Sequence, residues 1–324
     1  MKLDNIHKIL FITLSNIGDV VLTLPVLSAL RDKFPDETID VVVGPNPKEV
    51  FTKDPRINSV FIYDKHAGLK DKILFIKKLK SEKYDLAVDM KTSLIPVLIA
   101  ARYRSPLISM NKDTLRHKKT MHLNKLKALN IGFKKDMGDR NIYIDNRDRE
   151  RVKALLEEHG LEKGDVLIGL SPACRSPLKQ WHIEGFVEVI SNLIRHRDCK
   201  IVLIGDATQV NISSRIQNAV NHKNLIDLTG KINLNELFAL IDKMQLLITC
   251  DSASLHIACD LGIKVAAVFG PTDPEEYGPT GKNDIVIRKR LKCSPCRKAV
   301  CKFNHECMEE IKAGEVLEAI EKLL

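Results

Sequence analysis

Four cysteines lie within 15 residues of one another near the end of the chain. They are spaced as Cys293-x2-Cys296-x4-Cys301-x5-Cys307. Thiolates at such short spacing are the soft ligands that tetrahedral zinc, or less often iron, prefers. We expect these four residues to hold a structural metal ion, with free thiols and two disulfides as the alternatives.

A carboxylate follows the first apolar run of the chain. The run covers residues 9–14, and Gly18 and Asp19 come after a short polar turn. Gly18 allows a tight turn and a close approach of the backbone to a ligand. A carboxylate within about 2.6–3.2 Å of a hydroxyl group can accept its proton as a general base. Spacing alone favours a plainer role, in which Asp19 caps the helix that begins there.

Two segments of the second half resemble helix starts that bind anions. Residues 251–254 read Asp-Ser-Ala-Ser and precede a helical stretch that carries His256, and residues 270–274 read Gly-Pro-Thr-Asp-Pro. Backbone N–H groups at helix starts stabilise phosphate oxygens without a metal. Taken alone, His256 is more often a structural histidine, but its place three residues after Ala253, on the same helix turn, favours a phosphate contact. Asp273 either bonds a sugar hydroxyl or closes a proline-flanked turn.

Strand and helix patterns alternate along the whole chain. Because parallel neighbours need a crossover connection, the alternation predicts an α/β protein with doubly wound parallel sheets. Strands are predicted at residues 9–14, 39–43, 60–63, 86–90, 107–110, 166–170, 200–204, 225–227, 246–249 and 265–269. Helices are predicted at residues 19–34, 70–81, 94–102, 183–195, 209–220, 234–243, 254–261 and 314–324.

A charged segment at residues 145–151 separates the two series of elements. We place the domain boundary near residues 145–165 and predict two Rossmann-like lobes, residues 1–155 and 156–324. The carboxyl ends of the strands of both lobes are expected to face one cleft, where a ligand would bind.

Positive charge is clustered rather than spread evenly. The chain has 51 Lys and Arg against 42 Asp and Glu, a formal charge of +9. Residues 101–135 contain ten basic residues and one acid, and residues 288–302 contain seven and none. Such stretches suit an anionic partner, meaning a phosphorylated small molecule, an acidic glycan, a lipid surface or nucleic acid. A solvated face that binds nothing is an equal alternative for either stretch.

Several protein classes are excluded. With 324 residues, 44% apolar and 29% charged, the chain is neither disordered nor fibrous and is long enough for two domains. No apolar run approaches the ~20 residues that cross a bilayer, so we expect a cytoplasmic protein with reduced cysteines. None of the 16 glycines forms Gly-x-Gly, and none precedes Lys-Ser or Lys-Thr. The dinucleotide fingerprint of nicotinamide and flavin enzymes and the P-loop motif are therefore both absent.

Three segments, in this order, resemble glycosyltransferase family 9, the ADP-heptose:lipopolysaccharide heptosyltransferases of the GT-B fold. They are residues 12–25, residues 171–181 with Ser-Pro-Ala at one end and Lys-Gln-Trp at the other, and residues 251–256 followed by 269–274. The resemblance implies a GT-B architecture, with an acceptor-binding lobe at residues 1–155 and a nucleotide-sugar-binding lobe at residues 156–324. It also implies inverting transfer of heptose from ADP-heptose without a catalytic cofactor.

The resemblance also assigns roles to residues. Asp19 becomes the general base, and Lys179 contacts the donor phosphates. Trp181 is a core residue or a wall of the donor pocket. The donor-binding set is Lys179, Asp251, Ser252, Ala253, His256, Thr272 and Asp273. The acceptor-binding set is Ser15, Asn16, Gly18, Arg102, Arg104, Arg116 and Lys118. Its four basic residues are chosen because the inner core of lipopolysaccharide is rich in carboxylates and phosphates.

The expected partners are a nucleotide-sugar donor and an anionic lipid-linked glycan, with peripheral contact at the cytoplasmic face of the inner membrane and no nucleic acid.

One alternative function keeps the GT-B lobes but changes the sugar nucleotide, in another transferase or in an epimerase of the UDP-N-acetylglucosamine 2-epimerase kind. Another is a basic nucleic-acid-binding protein with a four-cysteine zinc knuckle. The low aromatic content, 5%, disfavours it, because base stacking needs aromatic side chains.

Overall fold

The computed structural model describes residues 3–106, 117–133 and 140–324. The chain forms two compact units, Met1–Tyr143 and Ile144–Leu324. Each unit is built around one parallel sheet with helices packed against it.

The first unit contains a five-stranded sheet in the order β3-β2-β1-β4-β5, and all its pairings are parallel. The central strands β1 and β4 are buried along almost their whole length, as their apolar sequences predict. The strands are β1 Lys8–Thr13, β2 Thr38–Val43, β3 Ser59–Ile62, β4 Leu86–Asp89 and β5 Tyr103–Arg104.

In the described part of the first unit, the α-helices that accompany this sheet are α1 Ile17–Val21, α2 Leu24–Lys33, α3 Glu49–Thr52, α4 Leu69–Ser81, α5 Ile95–Leu98 and α6 Lys118–Lys127. The single helix predicted at residues 19–34 is wrong, since α1 and α2 are separate. Pro25 lies in the first turn of α2, where its missing N–H is tolerated, and the Thr23 hydroxyl donates 2.7 Å to the Val20 carbonyl at the break.

The second unit contains a six-stranded parallel sheet in the order β11-β10-β9-β6-β7-β8. Its strands are β6 Val166–Ser171, β7 Cys199–Leu203, β8 Leu225–Asp227, β9 Leu246–Cys250, β10 Lys264–Val268 and β11 Ile285–Ile287. Its helices are α7 Asn146–Glu158, α8 Ile183–His196, α9 Val210–Val220, α10 Leu234–Ile241, α11 Ala253–Leu261, α12 Pro274–Tyr277, α13 Glu306–Glu309 and α14 Ala313–Glu321.

The division of the chain falls before α7, not after residue 155 as predicted. Helix α7 packs against α10, and Arg149 on α7 pairs with Asp242, which follows α10. The charged sequence of α7 resembles a linker, but its apolar face, with Val152 and Leu156 buried, makes it part of the second unit.

The other predictions differ from the structure mainly at the sheet edges. The helix predicted at residues 94–102 is only the short α5, and β5 follows it at Tyr103–Arg104. The strand predicted at 107–110 lies outside the described residues. Strand β11 was not predicted, because Ile285–Ile287 is a short edge segment with little apolar sequence around it.

Both sheets reverse their strand order at one point. In the first sheet β1 lies between β2 and β4, so the ends of β1 and β4 flank the reversal. In the second sheet β6 and β9 flank it. Crevices at the carboxyl ends of such strands are the usual ligand sites of doubly wound folds. The segments after β1 and β4, and after β6 and β9, are therefore the places to look for function.

Candidate functional site

Asp19 stands just after β1, in the first turn of α1. The helix begins at Ile17, so the capping position belongs to Asn16, and the alternative in which Asp19 caps the helix is wrong. The Asp19 side chain is partly exposed and has no hydrogen bond or ion pair with any residue of the described ranges. Ser15 is partly exposed, Asn16 exposed and Gly18 buried. The Asp19 carboxylate is therefore available to a substrate hydroxyl.

The predicted basic acceptor residues are spread over two elements. Arg102 lies with its guanidinium 5.0 Å from the centre of the Tyr103 ring, and Arg104 is exposed on the edge strand β5. Lys118 is the first residue of α6, whose capping position is His117. Arg116 lies outside the described residues.

Three further cationic or titratable side chains join Lys118 beside the end of β4. The Lys125 ammonium donates to the carbonyls of Met90, 2.8 Å away, and Asp89, 3.2 Å away. Burial, followed by the nearby charges of Lys125, Lys118 and Lys91, lowers the pKa of His122 to about 4. This cluster was not predicted as a group, although Lys118, His122 and Lys125 follow the i, i+4, i+7 spacing of one helix face.

In the second unit, Lys179 and Asp251 meet at the reversal between β6 and β9. The Lys179 ammonium lies 2.6 Å from the Asp251 carboxylate, and His256 Nε2 lies 3.9 Å from the other carboxylate oxygen. The side chains of Asp251 and His256 are buried, whereas that of Lys179 is 32% exposed. The structure thus brings together three of the predicted donor-binding residues, which lie up to 77 positions apart in the chain.

The start of α11 lies beside this group. Ser252 is the capping residue, but its hydroxyl lies 3.0 Å from the Thr249 hydroxyl and makes no capping bond to the helix. Ala253 begins the helix in an ordinary helical conformation. The first N–H groups of a helix have no intrahelical acceptor and carry a partial positive charge. The arrangement can therefore bind a phosphate group.

Thr272 and Asp273 follow β10 and have different surroundings. The Thr272 hydroxyl is buried and has no hydrogen-bond partner among the described residues. A buried hydroxyl without a partner is costly, which suggests that a ligand supplies one. Asp273 caps α12 by accepting 3.0 Å from the Glu275 N–H, and its second oxygen faces Arg297. The turn-closing role of Asp273 is therefore present, and sugar binding remains a prediction.

Trp181 is a core residue. It is fully buried, packs edge-on against Phe186 and donates through Nε1 to the Ile311 carbonyl, 3.0 Å away. Its neighbour His182 lies 3.1 Å from the same carbonyl. These contacts anchor the loop that carries Lys179 to the segment before α14.

The four cysteines of the cluster line one pocket of about 270 Å³. Cys307 is buried, and its burial, followed by the neighbouring thiols, raises its pKa to about 11. Within the described residues, however, no three or more His, Cys, Asp or Glu side chains are arranged to hold a metal ion. The sulfur of Cys301 instead accepts from the backbone N–H of Phe303, 3.4 Å away. The four cysteines therefore share a pocket without forming the expected metal site, and the thiols are free rather than paired in disulfides.

The sequence model of Glycosyltransferase family 9 (heptosyltransferase) matches residues 73–306, more than half of the chain. This chain belongs to glycosyltransferase family 9. Its enzyme class is therefore that of a glycosyltransferase, and the two parallel sheets are the two lobes of the GT-B fold.

Individual relatives agree with this membership. Lipopolysaccharide heptosyltransferase 3 of Escherichia coli (strain K12) is 28% identical over 331 residues, which cover 95% of each chain. The glycosyl transferase family 9 protein of Veillonella parvula DSM 2008 is 25% identical, with a TM-score of 0.84 over 100% of this chain and 98% of its own. ADP-heptose lps heptosyltransferase II of E. coli shares the fold at 20% identity, with a TM-score of 0.79 and 98% of each chain covered.

None of the helices in the described part of this family 9 chain is long and apolar enough to cross a membrane.

Proposed function

We propose that this protein transfers heptose from ADP-heptose to an anionic acceptor of the lipopolysaccharide inner core. The observation that carries the donor half is the Lys179–Asp251–His256 group beside the start of α11. The Thr272 hydroxyl, which has no hydrogen-bond partner among the residues that the structure describes, lies after the next strand of the sheet. Lipopolysaccharide heptosyltransferase 3 of E. coli, similar over 95% of both chains, supports the sugar and the acceptor class.

The donor-binding residues act on the leaving group. The N–H groups of Ala253 and of the following residues bind the diphosphate, and the Lys179 ammonium adds positive charge close to it. Thr272 donates its hydroxyl proton to the nucleotide, and His256, Ser252 and Asp273 complete the set. As the bond between the anomeric carbon and the diphosphate breaks, its electron pair goes to ADP, and these groups stabilise the charge that develops there.

Asp19 acts on the acceptor. Its carboxylate accepts the proton of the attacking hydroxyl while the oxygen forms a bond to the anomeric carbon on the face opposite ADP, so that the configuration is inverted. Gly18 brings the backbone close to the acceptor, and Ser15 and Asn16 hold its hydroxyl groups. Determining the anomeric configuration of donor and product by NMR tests this step, because retention would exclude a single displacement.

The acceptor is held by cationic side chains of the first unit. We assign Arg102, Arg104, Arg116 and Lys118 to the carboxylates and phosphates of the acceptor. Neutralising Arg116 and Lys118 together, each to Gln, should raise the KM for the acceptor and leave the donor Kd unchanged, because the two ligands use different groups. Equal loss of donor affinity would count against this assignment.

A transfer assay tests the proposed function directly. Purified protein is incubated with ADP-heptose and a series of truncated lipopolysaccharide acceptors, and products are identified by mass spectrometry. ADP, UDP and GDP are compared in parallel by thermal shift, since a ligand that binds only the folded state raises its melting temperature. Stabilisation by UDP or GDP alone, without product from ADP-heptose, would favour the alternative of a different sugar nucleotide.

The cell compartment and the metal remain part of the proposal. We expect a cytoplasmic protein in peripheral contact with the inner membrane, where a lipid-linked acceptor would be met, and cell fractionation tests this. A structural zinc or iron ion at the cysteine cluster is supported only by the shared pocket of the four thiols. Elemental analysis of protein purified without oxygen decides it, and no step of the transfer depends on it.

A further inference from the structure

The segment that carries the four cysteines, residues 292–307, is called here the cysteine segment. It contacts both loops of the proposed donor site, the Lys179 loop at residues 176–180 and the Thr272 loop at residues 270–277. We propose that the cysteine segment sets the positions of these two loops, with His305 and Arg297 as positioning residues for the donor. The inference rests on the proposed function, since it assumes that the nucleotide binds between the groups of these loops.

His305 fixes the Lys179 loop. Its Nε2 lies 2.6 Å from the Leu178 carbonyl oxygen, and because a carbonyl only accepts, that nitrogen carries the proton. Leu178 directly precedes Lys179, whose ammonium is 2.6 Å from Asp251. A displacement of the Leu178 carbonyl therefore moves the backbone from which the Lys179 ammonium reaches the donor.

Arg297 fixes the Thr272 loop. Its backbone N–H donates to the Pro271 carbonyl, 2.8 Å away, and its guanidinium contacts the carboxylates of Asp273, at 3.4 Å, and Glu276. These contacts are on either side of Thr272. The Ser294 hydroxyl of the cysteine segment donates to the carbonyl of Gly270, which belongs to the Thr272 loop, over 2.6 Å. The loop that presents the Thr272 hydroxyl is thus bonded to the cysteine segment at several points.

The cysteine segment is itself anchored in the core of the second unit. Met308, directly after it, is fully buried, and its sulfur packs so closely on Gly270 that a Cβ there would lie 2.4 Å away. Ile311 is also fully buried, and its carbonyl receives the contact from Trp181. A segment held on the core can transmit a fixed position to both loops.

The charge of this region agrees with a positioning role. The basic stretch at residues 288–302 suits an anionic partner, with a solvated face that binds nothing as the equal alternative. Two of its cations form ion pairs within the chain. Arg297 pairs with Asp273 and Glu276, and Lys289 pairs with Glu315 at 2.7 Å. Arg297 therefore acts on the loop rather than on a distant polyanion.

The test for His305 compares three variants by calorimetric titration with ADP and by donor kinetics. His305→Ala should raise the ADP Kd and the KM for ADP-heptose about tenfold, the effect of one lost hydrogen bond, with kcat within about twofold. His305→Gln keeps an N–H donor and should restore most of the affinity. Residue 305 has a left-handed backbone conformation with φ +59°, which Ala and Gln must both adopt. The comparison of the two variants therefore isolates the side-chain contact. The control is His222→Ala, an exposed residue in the turn before β8.

Arg297→Ala should likewise weaken ADP binding several-fold, whereas Arg215→Ala, which removes an exposed pair with Glu184, should not. ADP affinity unchanged in both His305→Ala and Arg297→Ala, with only a lower melting temperature, would overturn the inference and leave the donor site intact. A wild-type protein that does not bind ADP would overturn the inference together with the proposed donor.

Discussion

At the scale of single residues, Asp251 explains why a lysine stands where a diphosphate is proposed to bind. An unpaired carboxylate at the start of α11 would repel a phosphate. Lys179 offsets that charge from 2.6 Å, and an ammonium has three N–H donors, so donors remain for a ligand. The family motif predicts both residues, but their pairing depends on β6 and β9 being neighbours, which no local sequence pattern contains.

The substitution Thr272→Val distinguishes a ligand-binding role of this residue from a structural one. In Thr272→Val the buried hydroxyl that lacks a partner among the described residues is replaced by a methyl group of similar size. We expect the free energy of unfolding to stay equal or rise by up to about 1 kcal/mol, because an unsatisfied polar group is removed. The ADP Kd should rise about fivefold or more, because the hydroxyl no longer meets the nucleotide.

Urea unfolding and calorimetric titration of the same Thr272→Val sample give both quantities. Lower stability with unchanged ADP affinity would mean that the hydroxyl serves the fold alone.

His122 makes stability depend on pH in a defined window. Its pKa is lowered from 6.5 to about 4 in the folded protein, so between these values only the unfolded chain takes up the proton. The free energy of unfolding is not reduced by His122 above pH 6.5. As the pH falls towards 4, proton uptake by the unfolded chain lowers it by up to about 3 kcal/mol. His122→Gln should therefore show a shallower loss of unfolding free energy between pH 7 and 4 than the wild type.

Urea unfolding at several pH values measures this slope, with His222→Gln as an exposed control that should keep the wild-type slope. Equal slopes for all three proteins would contradict the assignment.

At the scale of elements, the contact between β10 and α13 predicts the effect of a single methyl group. A Cβ on Gly270, after β10, would lie 2.4 Å from the sulfur of Met308 on α13. Gly270→Ala should therefore lower the free energy of unfolding by about 1–3 kcal/mol, the usual cost of overpacking. Gly314→Ala is the matched control, because a Cβ there meets nothing within 4 Å and lies in α14.

The control should stabilise the protein by up to about 1 kcal/mol, since alanine favours helix over glycine. Urea unfolding compares the two variants with the wild type. A Gly270→Ala protein as stable as the wild type would show that the Met308 side chain can move away without cost.

Elements with one dominant local signal are predictable from this sequence. The central strands β1, β6, β9 and β10 are short apolar runs, and each was predicted to within one or two residues at either end. The break between α1 and α2 was missed although Pro25 marks it, because the apolar pattern continues through it. The edge strand β11 has no such run and depends on its pairing with β10.

At the scale of the whole molecule, the order of three motifs along the chain was sufficient to predict family 9 and the GT-B fold. What sequence could not supply is proximity. The grouping of Lys118 with Lys91, His122 and Lys125 depends on α6 being bonded to the end of β4 through Lys125. The contacts of the cysteine segment with the donor loops likewise join residues up to 127 positions apart, such as His305 and Leu178.

The central claim is that Asp19 deprotonates the acceptor hydroxyl while other groups hold ADP. The most direct measurement is the single-turnover rate of heptose transfer by Asp19→Asn, together with its ADP Kd. We predict a rate about 10²–10⁴ times below that of the wild type with an unchanged ADP Kd, and a wild-type rate for the exposed control Asp32→Asn. An Asp19→Asn protein that transfers heptose within tenfold of the wild-type rate would contradict the account.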